Sequence, residues 1–200
     1  MLVDNYTLSL LLFSVSMVAT PGPANIILLN AGSQFGFKKS LPFVLGIILS
    51  KQIIIWPIGF GLLNITIQFP NVIIFFKVIS AIYITYLAWK IAGSSIKPSS
   101  EITTPPNFLS GIIIHPINPK AWAMVTVSFT TFAPKIYADI SSIIMISLIF
   151  LSAHMIFHPL WVVFGAIISN RLKGTLYEKY LMRLLALLTI GSLAVVLISD

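Results

Sequence analysis

Apolar residues along the chain occur in six long runs, which are separated by short segments that hold most of the charged and polar residues. A transmembrane helix needs about 20 consecutive apolar residues, because the hydrocarbon core of a bilayer is about 30 Å thick. Each run is close to that length. The predicted spans are Thr7–Asn30, Leu41–Leu63, Pro70–Ile91, Leu109–Phe132, Ser141–Ile168 and Tyr180–Ser199. The pattern therefore predicts an all-α, polytopic membrane protein with six transmembrane helices.

Composition supports this prediction and excludes several other classes of protein. Of the 200 residues 58% are hydrophobic and only 8% are charged, whereas an ordinary soluble domain carries about 25% charged residues. The length allows one domain, residues 1–200. The chain has no cysteine, which excludes disulfides and thiolate chemistry. It also lacks a glycine-rich phosphate loop and the H-E-x-x-H and G-x-S-x-G motifs, so we expect a protein that is not an enzyme.

Basic residues concentrate in alternate loops. The first, third and fifth loops contain Lys38, Lys39, Lys97, Arg171, Lys173 and Lys179. The second loop is uncharged, and in the fourth Lys135 is offset by Asp139. The positive-inside rule puts the basic loops in the cytoplasm and both termini outside, and it explains the net charge of +7 without a nucleic-acid partner. We expect the first span to be retained, because Asp4 is acidic where a signal peptide is basic.

The third loop divides the chain into halves of about 1–95 and 106–200, and each half opens with an interrupted span. The first span contains Pro21-Gly22-Pro23, and the fourth contains Asn118-Pro119-Lys120. Because three spans are an odd number, two such halves must insert in opposite orientations. Inverted repeats with broken helices near the membrane midplane are a recurring transporter design. The sequence thus predicts two inverted three-helix repeats in which helices 1 and 4 are broken.

The first break is a candidate binding site. Irregular backbone persists at membrane depth only where it is buried in protein or lines a watery cavity. Pro21, Gly22 and Pro23 are therefore candidate substrate-binding residues, although a plain proline kink would produce the same pattern. Asn25 follows in the first turn of the restarted helix, where it could either bind a ligand or bridge helices. The sequence does not choose between those two roles.

The second break contains a lysine, which costs at least about 2.5 kcal/mol at the centre of a span. The interiors of the predicted spans contain Lys51, Lys77 and Lys120 but no aspartate or glutamate. An anionic group on a small molecule would satisfy such a charge. Lys120 is the first candidate because it adjoins the break, together with Asn118 and Pro119. Lys51 is the second, and we expect Lys77 to extend toward the outer surface.

Two histidines form a further candidate site. His154 and His158 are four residues apart and so share one helix face. That spacing suits a metal ion or a proton relay, and a polar seam between helices explains it more simply. His115 is the third histidine of the chain. A third ligand of obvious position is not apparent, because the interiors of the predicted spans contain no carboxylate. The alternative function is therefore a divalent metal-ion exporter that uses His154 and His158.

Several motifs carry a resemblance to a known family. The segment Thr20-Pro21-Gly22-Pro23-Ala24-Asn25 continues to Gly36-Phe37-Lys38-Lys39, and Asn118-Pro119-Lys120-Ala121-Trp122 opens the second half. With six spans and about this length, these motifs resemble the LysE/RhtB family of amino-acid exporters. The tract from Tyr83 to Lys90, YITYLAWK, is similar to the third span of that family, especially of its cysteine and O-acetylserine exporters.

The resemblance implies a secondary transporter of the bacterial inner membrane that exports amino acids and draws on the proton gradient without a bound cofactor. Small neutral substrates are favoured, such as threonine, homoserine, cysteine or O-acetylserine. Ser50-Lys51 stands where family members often have glycine, and a basic residue there would disfavour a cationic substrate. The expected partners are the amino acid and the lipid bilayer, and a homo-oligomer is left open.

Overall fold

The computed structural model describes residues 5–62, 78, 82, 85–86, 89, 93, 104–132, 140–172 and 174–198. All regular secondary structure in these ranges is helical. The α-helices are α1 (Asn5–Ala19), α2 (Pro23–Ser50), α3 (Gln52–Pro57), α4 (Phe108–Ile112), α5 (Pro119–Val127), α6 (Ile140–Leu172) and α7 (Leu176–Ile198), and π-helical turns at Ile58–Leu62 and Ser128–Phe132 extend α3 and α5. Most of the predicted span at 70–91 and most of the loop after it lie outside the described residues.

The first predicted break is confirmed. Helix α1 ends at Ala19 and α2 begins at Pro23, with Gly22 in extended conformation between them. Two prolines within three residues remove two backbone donors, so a continuous helix would leave its carbonyls without partners. Single prolines do less, because Pro42 and Pro159 lie inside helices that continue past them. The Pro-Gly-Pro combination therefore ends the helix where one proline does not.

The second predicted break is also confirmed, and it is longer than expected. Helix α4 ends at Ile112, residues 113–117 form turns, and α5 begins at Pro119. The Asn118 side chain accepts a hydrogen bond from the Lys120 backbone N–H at 3.1 Å. Asparagine at the N-cap and proline at the first helical position are both preferred at a helix start. The local sequence therefore determines where α5 begins.

The predicted loop between the first two spans is wrong. The chain stays helical through Lys38 and Lys39, and the only departure is at Gly36, whose φ is 75° and ψ is 174°. A positive φ is easily reached by glycine and strained in other residues. Residues from both sides of Gly36 join one hydrophobic cluster, which includes Leu28 and Ile47. A single glycine thus replaces the loop of about ten residues that the polar pattern predicts.

Helices α2 and α6 approach each other at the level of their backbones. A Cβ atom added to Gly32 would lie 2.0 Å from the Val162 carbonyl oxygen, and one added to Gly165 would lie 2.0 Å from the Leu29 carbonyl oxygen. Small residues at such crossings allow close van der Waals contact, which drives helix association in membranes. The reciprocal pair of glycines therefore fixes α6 against α2.

The outer surface of the fold is apolar. On α6 the large hydrophobic side chains that point outward are 42% to 60% exposed, namely Ile144, Leu148, Met155, Ile156 and Leu160. Two helical stretches are long and apolar enough to cross a membrane, Pro23–Gly61 and Ile140–Ile168, and a shorter apolar helix covers Tyr6–Ala19. An apolar belt of this kind is the surface that a bilayer requires.

Candidate functional site

The two helix breaks meet at one cavity. Of the eight predicted binding residues, six line it: Gly22, Pro23, Asn25, Lys51, Asn118 and Lys120. Pro21 contributes its backbone carbonyl, and Pro119 begins the helix that carries Lys120. Residues that are nearly a hundred positions apart in sequence are therefore brought together, as the prediction of paired breaks requires.

Lys120 connects the two breaks directly. Its side chain is 4% exposed. The Nζ atom donates hydrogen bonds to the Thr20 hydroxyl oxygen at 3.0 Å and to the Pro21 carbonyl oxygen at 3.3 Å. A Cβ atom added to Gly22 would lie 3.3 Å from both Cδ and Nζ of this lysine. The glycine therefore leaves the space that the lysine side chain occupies.

Lys51 reaches the same cavity from the junction of α2 and α3. It is fully buried. Its Nζ donates to the Ala121 carbonyl oxygen at 3.4 Å, lies 3.7 Å from the Met124 sulfur, and stands 5.2 Å from the centre of the Phe150 ring. These contacts are neutral, so a carbonyl, a thioether and an aromatic face hold the ammonium without cancelling its charge.

The cavity carries positive charge that the described residues do not balance. Glu178 is the only carboxylate in the described ranges, and it accepts a hydrogen bond from the Gly174 backbone N–H at the start of α7. None of the described residues that line the cavity is acidic. Two buried ammonium groups without a carboxylate partner are unfavourable in a low-dielectric environment. Such a site is suited to an anionic ligand.

The two asparagines already make structural hydrogen bonds. The Asn25 amide donates to the carbonyl oxygens of Val18 and Thr20, both at 2.8 Å, and so satisfies groups that the end of α1 exposes. Asn118 caps α5, as described above. Asn25 thus bridges the break, which is one of the two roles that the sequence allowed. Binding of a ligand by either asparagine stays a prediction.

Sequence reasoning missed the position of His115. This residue lies in the turns that precede α5, and its ring centre is 5.1 Å from that of His154 and 5.7 Å from that of His158. All three rings line the cavity and are buried. The spacing of His154 and His158 indicated a shared face, but only the return of the chain at 113–117 places His115 beside them.

The cavity is small in this conformation, at about 20 Å³. That is room for roughly one water molecule. The two breaks would have to separate before a larger molecule could enter. The site therefore combines two ammonium groups without a carboxylate partner among the described residues, two helix N-termini and three imidazoles in a small space.

Comparison with known proteins assigns the family. The model of the LysE type translocator family matches residues 15–200, a range that includes both helix breaks and every cavity residue. This protein belongs to the LysE type translocator family. The resemblance drawn from the Thr20–Asn25 and Asn118–Trp122 motifs is thereby confirmed, and the apolar helices of the fold are those of a membrane protein.

Curated relatives of this LysE type translocator are cysteine/O-acetylserine efflux proteins. The relative from Escherichia coli O1:K1 is 24% identical over 178 residues, which cover 89% of this chain and 90% of the relative. The relatives from Escherichia coli O157:H7 and Salmonella typhimurium strain LT2 are 25% and 23% identical over the same lengths. No solved structure matches the chain.

Proposed function

We propose that this LysE type translocator exports small neutral amino acids or close derivatives, such as cysteine, O-acetylserine, threonine or homoserine, across the bacterial inner membrane. The family and the efflux proteins among its relatives support export of an amino acid. The observation that carries the proposal is the buried Lys120 ammonium between the two helix breaks, because every amino acid brings a carboxylate that such a group can bind.

The helix starts favour the same ligand. Helix α2 begins at Pro23 and α5 at Pro119, beside residues that line the cavity. The N-terminus of a helix carries a partial positive charge, which favours an anion there. We propose that Lys120 and these two helix starts bind the carboxylate. Asn25 and Asn118 orient the ligand, and Lys51 provides a second positive charge.

The second lysine also bears on the class of substrate. A cationic side chain, such as that of lysine or arginine, would add positive charge to a cavity that already contains Lys51 and Lys120. The repulsion would be strong in a site shielded from water. We therefore propose neutral side chains. The volume of about 20 Å³ means that the two halves must move apart to admit them.

Transport by purified protein in liposomes tests the proposed function. We expect uptake of radiolabelled cysteine and threonine when a pH gradient is imposed, and little uptake of labelled arginine, because of the two cavity lysines. Dissipating the gradient with a protonophore should remove the accumulation. If monodisperse, reconstituted protein moved none of these amino acids, either down a gradient or in exchange, the proposal would be wrong.

We further propose that six spans form two inverted halves, with both termini outside. Because the chain has no cysteine, single cysteines report topology without background. With a membrane-impermeant maleimide on intact cells, we expect Lys135→Cys to be labelled and Lys39→Cys to be protected until the membrane is opened. The reverse result would invert the orientation, and labelling of both would contradict the six-span arrangement.

A further inference from the structure

All the histidines of the chain meet in the cavity. There are three, and one ring nitrogen from each lies within 4.8 Å of those from the other two. His154 and His158 come from consecutive turns of α6, with ring centres 4.5 Å apart. His115 comes from the turns before α5. Two separate elements of the fold thus place three imidazoles around one point.

The hydrogen bonding leaves nitrogen lone pairs available. Both ring nitrogens of His115 and Nδ1 of His158 have no hydrogen-bond partner among the described residues. Nδ1 of His154 lies 2.5 Å from the Phe150 carbonyl oxygen, so it carries a proton and Nε2 keeps its lone pair. Histidines that bind metal ions usually donate their other ring N–H to a carbonyl, a carboxylate or a water molecule, as His154 does here.

A polar seam does not explain these groups. Each buried polar atom without a partner costs about 1–3 kcal/mol, and three of them occur in this cluster. Edge-to-face contacts of the rings, such as the 80° angle between His154 and His158, give packing but satisfy no nitrogen. A metal ion would accept a lone pair from one nitrogen of each of the three histidines.

We propose that His115, His154 and His158 form a binding site for one divalent transition-metal ion of the zinc, cobalt or nickel class. Three histidines with a fourth position open are a known ligand set for zinc, and imidazole suits this group of metals. Calcium and magnesium prefer oxygen ligands, and the part of the chain that the structure describes places no carboxylate in the cavity lining. The fourth coordination position would face the cavity. Metal binding at this site would be a property additional to the proposed export of amino acids.

The geometry is close to what such an ion needs. Ligand nitrogens about 2.0–2.1 Å from a tetrahedral zinc ion are roughly 3.3 Å from one another. The three nitrogens lie within 4.8 Å, so side-chain movements of about an ångström would complete the site. His154 and His158 project from one helix, and His115 projects from the turns at 113–117.

Lys51 provides a test in which the proposal predicts the direction of the change in metal affinity. It lines the same cavity, and its Nζ is 5.2 Å from the centre of the Phe150 ring, which in turn is 6.0 Å from the His154 ring. An ammonium beside a divalent cation is repulsive at low dielectric. Removal of this charge should therefore strengthen metal binding, an effect that a purely structural histidine cluster would not show.

Cobalt(II) titration of the full-length protein in detergent tests the site. The purification tag must contain no histidine, so that the three native residues are the only imidazoles. We expect one cobalt ion per protomer, visible d–d absorption bands, and displacement of cobalt by zinc. His154→Gln and His158→Gln should each weaken binding at least about a hundredfold, and Lys51→Met should strengthen it about tenfold or more. Met155→Ala, on the outward face of α6, is the matched control and should bind as wild type does.

Two results would overturn the proposal. Wild-type protein that is monodisperse but binds neither cobalt nor zinc saturably has no such site. Equal binding by the triple variant His115→Gln/His154→Gln/His158→Gln would place the ligands elsewhere. Should the variants aggregate, X-ray absorption on cobalt-loaded wild type decides, because three imidazole ligands support the site and fewer contradict it.

Discussion

Lys120→Met should reduce amino-acid efflux at least about 30-fold while leaving the protein about as abundant in the membrane as wild type. Truncating one partner of a buried, hydrogen-bonded charge pair costs about 2–5 kcal/mol, which corresponds to a loss in kcat/KM of roughly 30-fold or more. Removing a buried lysine also relieves an insertion cost of at least about 2.5 kcal/mol. The Pro21 carbonyl loses its Lys120 donor at the same time, and a buried acceptor without a donor costs about 1–3 kcal/mol. The two effects on stability therefore roughly cancel while transport falls, which separates loss of a binding group from loss of the fold.

Labelled amino-acid uptake into liposomes and membrane abundance measured on the same preparation check this prediction. Lys39→Met is the matched control, because Lys39 is exposed on α2 and lies away from the cavity. Gly22→Val should also reduce uptake, because the valine side chain would contact Nζ of Lys120 and displace it. Wild-type uptake by Lys120→Met would contradict the carboxylate-binding role.

Gly165→Leu should prevent the protein from folding. An added Cβ would lie 2.0 Å from the Leu29 carbonyl oxygen, and backbone atoms cannot turn aside as a flexible side chain can. Overpacking a well-packed core typically costs about 1–3 kcal/mol, and a whole leucine at a backbone contact should exceed that range. Helices α2 and α6 would have to separate, and with them the cavity wall that His154 and His158 form.

Thermal stability in detergent measures this effect, as the temperature at which half the protein leaves the monodisperse gel-filtration peak. Ser152→Leu on the same helix is the control, because it introduces the same side chain at an exposed position. We expect Ser152→Leu to match wild type and Gly165→Leu to yield no monodisperse protein. Equal stability of the two variants would show that the close approach of α2 and α6 is not needed.

The helix breaks could be predicted from sequence because their causes are local. Two prolines around Gly22 remove hydrogen-bond donors, and Asn118 followed by Pro119 specifies a helix start. These effects act within a few residues, so the site that depends on them could be predicted from residues such as Lys120.

Other features depend on contacts that no local pattern reveals. Gly36 lies in a polar segment. The same sequence is compatible with a positive φ at one residue and with a loop of about ten residues. The pairing of Gly32 with Val162 depends on how distant helices cross. His115 joins His154 and His158 only because residues 113–117 turn back toward α6. Neither helical period nor composition gives information about such convergence.

The position of Lys120 has a mechanical consequence. Its ammonium donates to the Pro21 carbonyl at the end of the first helix, so in the resting cavity it acts as the cationic cap that a helix C-terminus favours. A carboxylate that draws this ammonium toward itself would leave the carbonyl without its donor. The same ammonium would then hold the end of α1 when the site is empty and bind the substrate carboxylate when it is occupied. Substrate binding would thereby release the end of α1.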